Sequence, residues 1–356
     1  MMKGANTSQS DYIMLTYFIV LLLFGFLLLS SAGVAVGLER FDDAYFFIKR
    51  QLLFGFVPGS ILFLFIVKIN YSIWKKYASP LYITGIILLL LVFIPSLGST
   101  NNTGVQSWIN IAGFSFQPAE AAKLTMIIYM AAYLSTLGKG IENFSHGFLH
   151  ALGLGIIPLV LVVIQPDIGT AFILFSVLFV MLFLAQAKMS HLSLLAGLAL
   201  VCSISMILAA PYRTERLMTF LHPELDPQGQ GYHINQAFLA IGSGGWFGLG
   251  LGHSRQKFQY LPEVHADSIF AIGGEELGFI IITGFLILLL LMSLRGFMIA
   301  KNSQDPFGRY LVGGIIAWFT IQSLLNIGAM VGLLPLTGVP LPFVSHGGSA
   351  LMIGMV

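Results

Sequence analysis

From Tyr12 to Leu38 the chain runs without one charged side chain, and the same holds from Leu277 to Leu294. About 20 apolar residues suffice for an α-helix to cross a hydrocarbon core of about 30 Å. In that medium every backbone N–H and C=O must find a partner inside the protein, which leaves helix bundles or closed barrels. Uninterrupted apolar runs select helices, because barrel strands alternate. Composition agrees: 57% of residues are hydrophobic and 9% are charged, against roughly 25% charged in a soluble domain. A water-soluble globule is excluded. The single cysteine, Cys202, rules out a disulfide framework and any cysteine-based metal site. A net charge of +2 is too small to suggest a nucleic-acid partner.

The expected fold class is an all-α polytopic membrane protein with ten transmembrane helices. They lie near 13–37, 50–68, 79–96, 119–138, 146–164, 168–187, 191–211, 268–294, 309–333 and from 343 onward. The first is no signal peptide: its apolar run is too long and no cleavage site follows. Lys and Arg in short loops set orientation. With the N-terminus cytoplasmic, that side holds Lys3, Lys68, Lys75, Lys76, Lys139, Lys188, Arg295, Lys301 and Arg309, against Arg40, Lys49 and Arg50 opposite. The bias predicts N-in, one membrane domain over 1–356, and a large external loop at 212–267 between helices 7 and 8.

That loop carries four of the eight histidines together with Arg213, Arg216, Gln256, Lys257, Glu263, His265 and Asp267. Its stretch Tyr232 to Gly252 is amphipathic and then glycine-rich, so it can lie in the interface plane, with the glycines serving turns or the approach of a ligand. A solvated cap explains the glycines alone. Gln256 to Gly278 is harder to explain that way, because Asp267 stands at the mouth of a membrane span and Glu275 and Glu276 lie within it. Carboxylates at membrane depth cost about 2.5 to 3.5 kcal/mol at the centre, which argues for a specific task. Asp267 is either a helix N-cap or a catalytic carboxylate, and physics leaves the two open. Glu275 and Glu276 sit about 100° apart on a helix and are not expected to face one partner; a structural role is expected for both.

Three further constellations fall on the same predicted outer side. In QPAEAAKL, Glu120 and Lys123 are spaced i,i+3 and can pair, either as a neutralised pair or as a polar site facing an internal cavity, the reading preferred here. In QPDIGT, Asp167 is expected to cap the following helix. PLTGVPLPFVSHGGS, Pro335 to Ser349, is a rigid irregular element that membrane depth tolerates only when it is buried in protein or lines a water-filled cavity. The four are expected to converge on one cavity open laterally to lipid, which suits a substrate with a lipid tail and a polar head.

These segments, with RLMTFLHPELDPQGQGYHINQAFLAIGSGGWFGLGLG, QKFQYLPEVHADSIFAIGGEELG and LLPLTGVPLPFVSHGGS in order, resemble the SEDS family (shape, elongation, division and sporulation) over almost the whole chain. QKFQYLPE with GEELG is more similar to the FtsW branch than to RodA. The resemblance implies a peptidoglycan glycosyltransferase that polymerises lipid II and works with a class B penicillin-binding protein in the bacterial cytoplasmic membrane, its site facing outward. It implies that Asp267, in His265-Ala266-Asp267, is the family's essential aspartate, and that Glu120 and Lys123 are its acidic and basic helix pair. Three positions depart from the family pattern: Ser107 before Trp108 where Arg is frequent, Ala266 for Thr, and His222 for Asp.

The expected chemistry is a single inverting displacement. Asp267 acts as general base on an acceptor hydroxyl, and undecaprenyl pyrophosphate leaves. Arg213, Arg216, Lys257 or a divalent cation (magnesium or manganese) must offset the leaving group's charge, with Glu120, Lys123, Gln256 and His265 expected to contact substrate. No metal-ligand spacing specifies the cation. An aspartate near its reference pKa of about 3.9 is a weak base, so burial must raise it, or it orients and binds instead. The competing readings are a lipid II flippase and a non-catalytic scaffold for the penicillin-binding protein. The almost wholly apolar inner halves of the spans argue against a flippase.

Overall fold

The computed structural model describes residues 11–99, 106–111, 114–208, 211–226, 229–258 and 260–356. Helix α1 (Tyr12–Ala32) is capped by Asp11, whose carboxylate accepts from Met14 N–H. Gly33 separates it from α2 (Val34–Phe41). Next come α3 (Phe46–Gln51) and α4 (Val57–Ile66), joined through a π turn at Leu52–Phe56. The short α5 (Ser72–Lys76) and α6 (Ala78–Leu91) follow. A small antiparallel sheet, β1 (Gly98–Ser99), β2 (Trp108–Ile111) and β3 (Phe114–Phe116), pairs Ser99 with Trp108 and Ile109 with Phe116.

The chain then continues through α7 (Pro118–Leu137), α8 (Leu149–Ile164), α9 (Ile168–Leu184) and α10 (Met189–Leu208). Segment 212–267 holds most of α11 (Pro211–Leu221) and all of α12 (Gln230–Ser243), followed by a run of turns. The last helices are α13 (Ile269–Asn302), α14 (Pro306–Met330) and α15 (Gly348–Gly354).

Among the described residues seven helices are long and apolar enough to cross a membrane, and α6 and α9 are shorter apolar helices. Together these coincide with nine of the ten runs expected to span, and the last run holds α15, with seven helical residues. Helix α14 is the hub, packing on α13, α7 and α9. Its most apolar window is 61% buried, whereas that of α10 is 11% buried, so α10 offers Leu194, Leu198, Val201 and Ile204 to lipid.

The span expected as continuous over 268–294 is broken at Gly278, whose φ of 75° and ψ of 178° are not helical. Ladder bonds that a helix would satisfy internally are completed by the glycine cluster instead. Leu249 and Gly250 N–H donate to the Glu275 and Glu276 carbonyls at 2.9 and 3.0 Å, and Phe279 and Ile280 N–H donate to the Gly245 and Trp246 carbonyls. A Cβ at Gly278 would lie 2.2 Å from the Gly248 nitrogen, and one at Gly248 2.2 Å from the Glu276 carbonyl. Gly248 and Gly278, with Gly244 against the Gly274 carbonyl, therefore serve the approach of backbone to backbone.

Candidate active site

Asp267 closes the turn that enters α13. The Glu263 carbonyl accepts from both Ala266 and Ser268 N–H, and Glu263 itself is left-handed, with φ 48°. The N-cap position belongs to Ser268, with no side-chain cap bond, so Asp267 does not cap the helix. Its main chain is held by others. Asn326 Nδ2 on α14 donates to the Asp267 carbonyl and to the Val339 carbonyl, each at 2.8 Å. His346 N–H donates to the His265 carbonyl at 2.8 Å. The His265 ring stacks on Phe47, with centroids 3.9 Å apart.

The Asp267 carboxylate is in a different position from its backbone. Among the described residues none of the ion pairs involves it, and Ser268 Oγ donates to its Oδ1 at 3.5 Å. Burial first, and then the charge of Glu263, push it up to about 7, against smaller opposing pulls from the Asp267 and Ser268 amides and the Ser268 hydroxyl. Burial lowers His265 to about 4 and His346 to about 3, so both imidazoles are neutral near pH 7.

The pairing expected of Glu120 and Lys123 is present. Both are buried in the first turns of α7, with Lys123 Nζ donating to Glu120 Oε1 at 2.9 Å and to Gln322 Oε1 at 2.8 Å. Trp318 Nε1–H donates to the same Gln322 oxygen, and the ammonium lies 4.8 Å from the Trp318 ring centre. Gln322 Nε2 then donates to the Pro340 carbonyl. Glu120, Gln322, Pro340 and Ser345 are among the walls of a cavity of about 20 Å³, room for about one water. This is not the groove open to lipid expected to serve all four constellations: it is too small for a sugar, and Asp267 is not among its walls.

What joins the constellations is segment 335–349, a partly buried irregular element whose Val339, Leu341, Phe343, Val344, Ser345 and Ser349 lie inside the protein. Gln51 and Gly347 clasp it to α3, Ser349 Oγ accepts from Gln117 N–H, and Gly169 on α9 packs against Thr337 and Val339. Asp167 caps α9 by accepting from Thr170 N–H at 3.0 Å, as its motif predicts.

Lys257 belongs to a closed network. Its buried ammonium donates to Glu276 Oε1, Ser31 Oγ and the Gly252 carbonyl at 2.9, 3.0 and 2.7 Å. A lysine has three N–H groups, so none remains for a phosphate, and the reading of Lys257 as a counter-charge is withdrawn. The expectation that Glu275 and Glu276 face different partners also fails. Glu275 accepts from the Ser254 hydroxyl and from Arg255 and Gln256 N–H, while Glu276 accepts from Lys257 and Ser254 N–H. Segment 254–257 wraps the helix and reaches both.

Gln256 contributes its backbone to this clasp, and its side-chain oxygen is buried without a partner. Arg216 is exposed on α11. The side chain of Arg213 lies outside the described residues. Among the described residues no group of three or more His, Cys, Asp or Glu is arranged to hold a metal ion. Gln322 and Asn326, which tie the site together, went unread in the sequence. Two amides spaced i,i+4 in an apolar helix were the available signal.

This arrangement defines a multi-pass helical membrane protein with a partly buried carboxylate at a helix mouth, outside every ion pair among the described residues. Residues 12–356 match the family model that covers FtsW, RodA and SpoVE, described as cell cycle protein, and the chain belongs to that family. Stage V sporulation protein E of Bacillus subtilis (strain 168) is 41% identical over 97% of this chain and 94% of its own. A probable peptidoglycan glycosyltransferase FtsW of Geobacter sp. (strain M18) is 38% identical over the same shares. Among solved structures, one chain of a peptidoglycan synthase complex that coordinates polymerization and crosslinking aligns with TM-score 0.78 at 25% identity, covering 98% of this chain and 95% of that one. The rod shape determining protein RodA of Thermus thermophilus aligns with TM-score 0.67 at 25% identity, covering 99% and 95%.

Proposed function

We propose that this chain is a peptidoglycan glycosyltransferase that polymerises lipid II at the outer face of the bacterial cytoplasmic membrane, with its N-terminus cytoplasmic. The observation that carries the reading is Asp267, whose carboxylate is raised to about 7 while its main chain is held from α14 and from segment 335–349. A base poised near the working pH is what proton abstraction from a sugar hydroxyl requires. Asp267 takes the proton of the acceptor's 4-hydroxyl as that oxygen attacks the donor's anomeric carbon. The bond from that carbon to undecaprenyl pyrophosphate breaks, and the α linkage becomes β.

Exposed Arg216, with Arg213, meets the charge of the departing pyrophosphate. His265 borders the substrate, while the buried pair Glu120–Lys123 holds segment 335–349 through Gln322. A divalent cation, magnesium or manganese, would supply charge neutralisation to the pyrophosphate when bound, and magnesium would need few protein ligands for this. Chelation should stop polymerisation, and either metal should restore it. The partner is a class B penicillin-binding protein, a reading supported by the similarity to a chain of a peptidoglycan synthase complex. The test is glycan polymerisation from purified lipid II. Asp267→Ala should abolish it while leaving the protein folded in detergent, and full activity in that variant would overturn the reading.

A further inference from the structure

The loop bound to Glu275 and Glu276 also presents a surface. Ser254, Arg255 and Gln256 are tied to the Glu275 carboxylate, and the Lys257 ammonium joins Glu276 to the Gly252 carbonyl. The loop so held walls an open cavity of about 470 Å³, lined by Gly252, His253, Ser254, Arg255, Phe258 and Tyr260. Cavities that take organic ligands run from about 300 to 1,000 Å³. Phe258 and Tyr260 are 55% and 56% exposed. His253 Nδ1 is 3.1 Å from the Leu251 carbonyl; since a carbonyl only accepts, Nδ1 carries the proton and Nε2 of the neutral ring is an acceptor. Arg255 is exposed, its guanidinium enters none of the ion pairs among the described residues, and no acid lines the cavity.

Two open aromatic faces, one acceptor and a five-donor cation suit a sugar, whose ring offers an apolar C–H face and a rim of hydroxyls. They suit a lipid headgroup less well, because the Nε2 acceptor opposes a phosphate. The lipid-facing belt also lies elsewhere. Trp246 packs on Phe279, with ring centres 5.2 Å apart, beyond the break at Gly278, whereas 254–257 sits on Glu275 and Glu276, on the Asp267 side of that break. Tyr260 precedes Asp267 by seven residues, so at most about 25 Å separates them. We propose that this cavity binds the growing glycan strand, an oligosaccharide whose alternate sugars carry acidic peptides. Phe258 and Tyr260 stack on its sugar rings, His253 accepts from a hydroxyl, and Arg255, a cation in a cavity without acids, pairs with a peptide carboxylate. The inference rests on the polymerase reading, since the ligand is the product of that reaction.

Equilibrium binding to the purified full chain in detergent is measured with a tetrasaccharide fragment of peptidoglycan bearing its peptides, and with tetra-N-acetylchitotetraose, which has the sugars and no carboxylate. Wild type should bind both, the acidic fragment more tightly. Phe258→Ala with Tyr260→Ala should weaken both by about tenfold. Arg255→Gln should weaken the acidic fragment by about two- to fivefold and leave chitotetraose unchanged. No binding by wild type, unchanged affinities in the ring variant, or equal loss of both ligands in Arg255→Gln would overturn the proposal. So would a ring variant that keeps the saccharide and loses either a purified class B penicillin-binding protein or phosphatidylglycerol in nanodiscs, since the face is then a protein or a lipid contact. All three side chains are exposed, so folding should survive; if the ring variant does not fold, Arg255→Gln decides alone. Asp267→Asn separates the two readings. It should bind the saccharides as wild type does while polymerising nothing; if it polymerises, the general base lies elsewhere and the binding comparison still decides the cavity.

Discussion

Two acidic sites on one element have opposite fates. Glu275 and Glu276, inside the first half of α13, are bound by an ammonium, two hydroxyls and backbone amides from segment 254–257 and α1, with only Glu276 Oε2 left unbonded. Asp267, just before the same helix, has a tightly held main chain and a carboxylate outside every ion pair among the described residues. Burial penalises both sites, but only the first is compensated. A compensated carboxylate is a fastener; an uncompensated one keeps its affinity for a proton and can do chemistry. Local sequence does not separate the two, since both are acids beside small residues at a membrane boundary. Their partners do.

The comparison breaks most sharply at Asp267. Asp267→Asn keeps the shape and removes the base, so polymerisation should fall by about 10²- to 10⁴-fold with thermal unfolding in detergent unchanged. The fastener should respond in the reverse manner. Lys257→Met strands Glu276 in the interior and is expected to cost about 3 to 5 kcal/mol. Pairing it with Glu276→Leu should recover most of that loss, as read from unfolding midpoints.

Gly278→Ala tests the joint between the two sites. Its Cβ would collide with the Gly248 nitrogen and hold a left-handed φ, at a cost of about 1 to 3 kcal/mol. The smallest effect is electrostatic. Activity should rise with pH through about 7 as Asp267 loses its proton, and Glu263→Gln, by removing a like charge, should move that limb down by about a few tenths of a unit. The sign for stability is opposite. The folded value lies above that of an unfolded aspartate, so this group's contribution is full below the unfolded value and is lost as pH climbs through about 7.

The spans were legible because apolar length is a property of contiguous residues, and nine of the predicted runs coincide with helical segments. The Glu120–Lys123 pair and the Asp167 cap were legible for the same reason, since each is made within one turn. The break at Gly278 left no trace, because one glycine in an apolar run does not alter its periodicity. The partners of Glu275 and Glu276 were hidden too. A helical wheel shows that two adjacent residues diverge, but not that a loop from earlier in the chain bends around the helix to reach both. Ser268 and His233 are separated by 35 positions, and only the fold brings them together.

The interruption of α13 also decides what sets the height of Asp267. A continuous helix would place its upper end by counting residues from its membrane-anchored lower part. Here the upper piece is hung instead on main-chain rungs shared with residues 245–250. The glycine-rich strip thus acts as a depth gauge, and substitutions there should raise or lower the Asp267 carboxylate relative to the lipid headgroups without altering any residue near it.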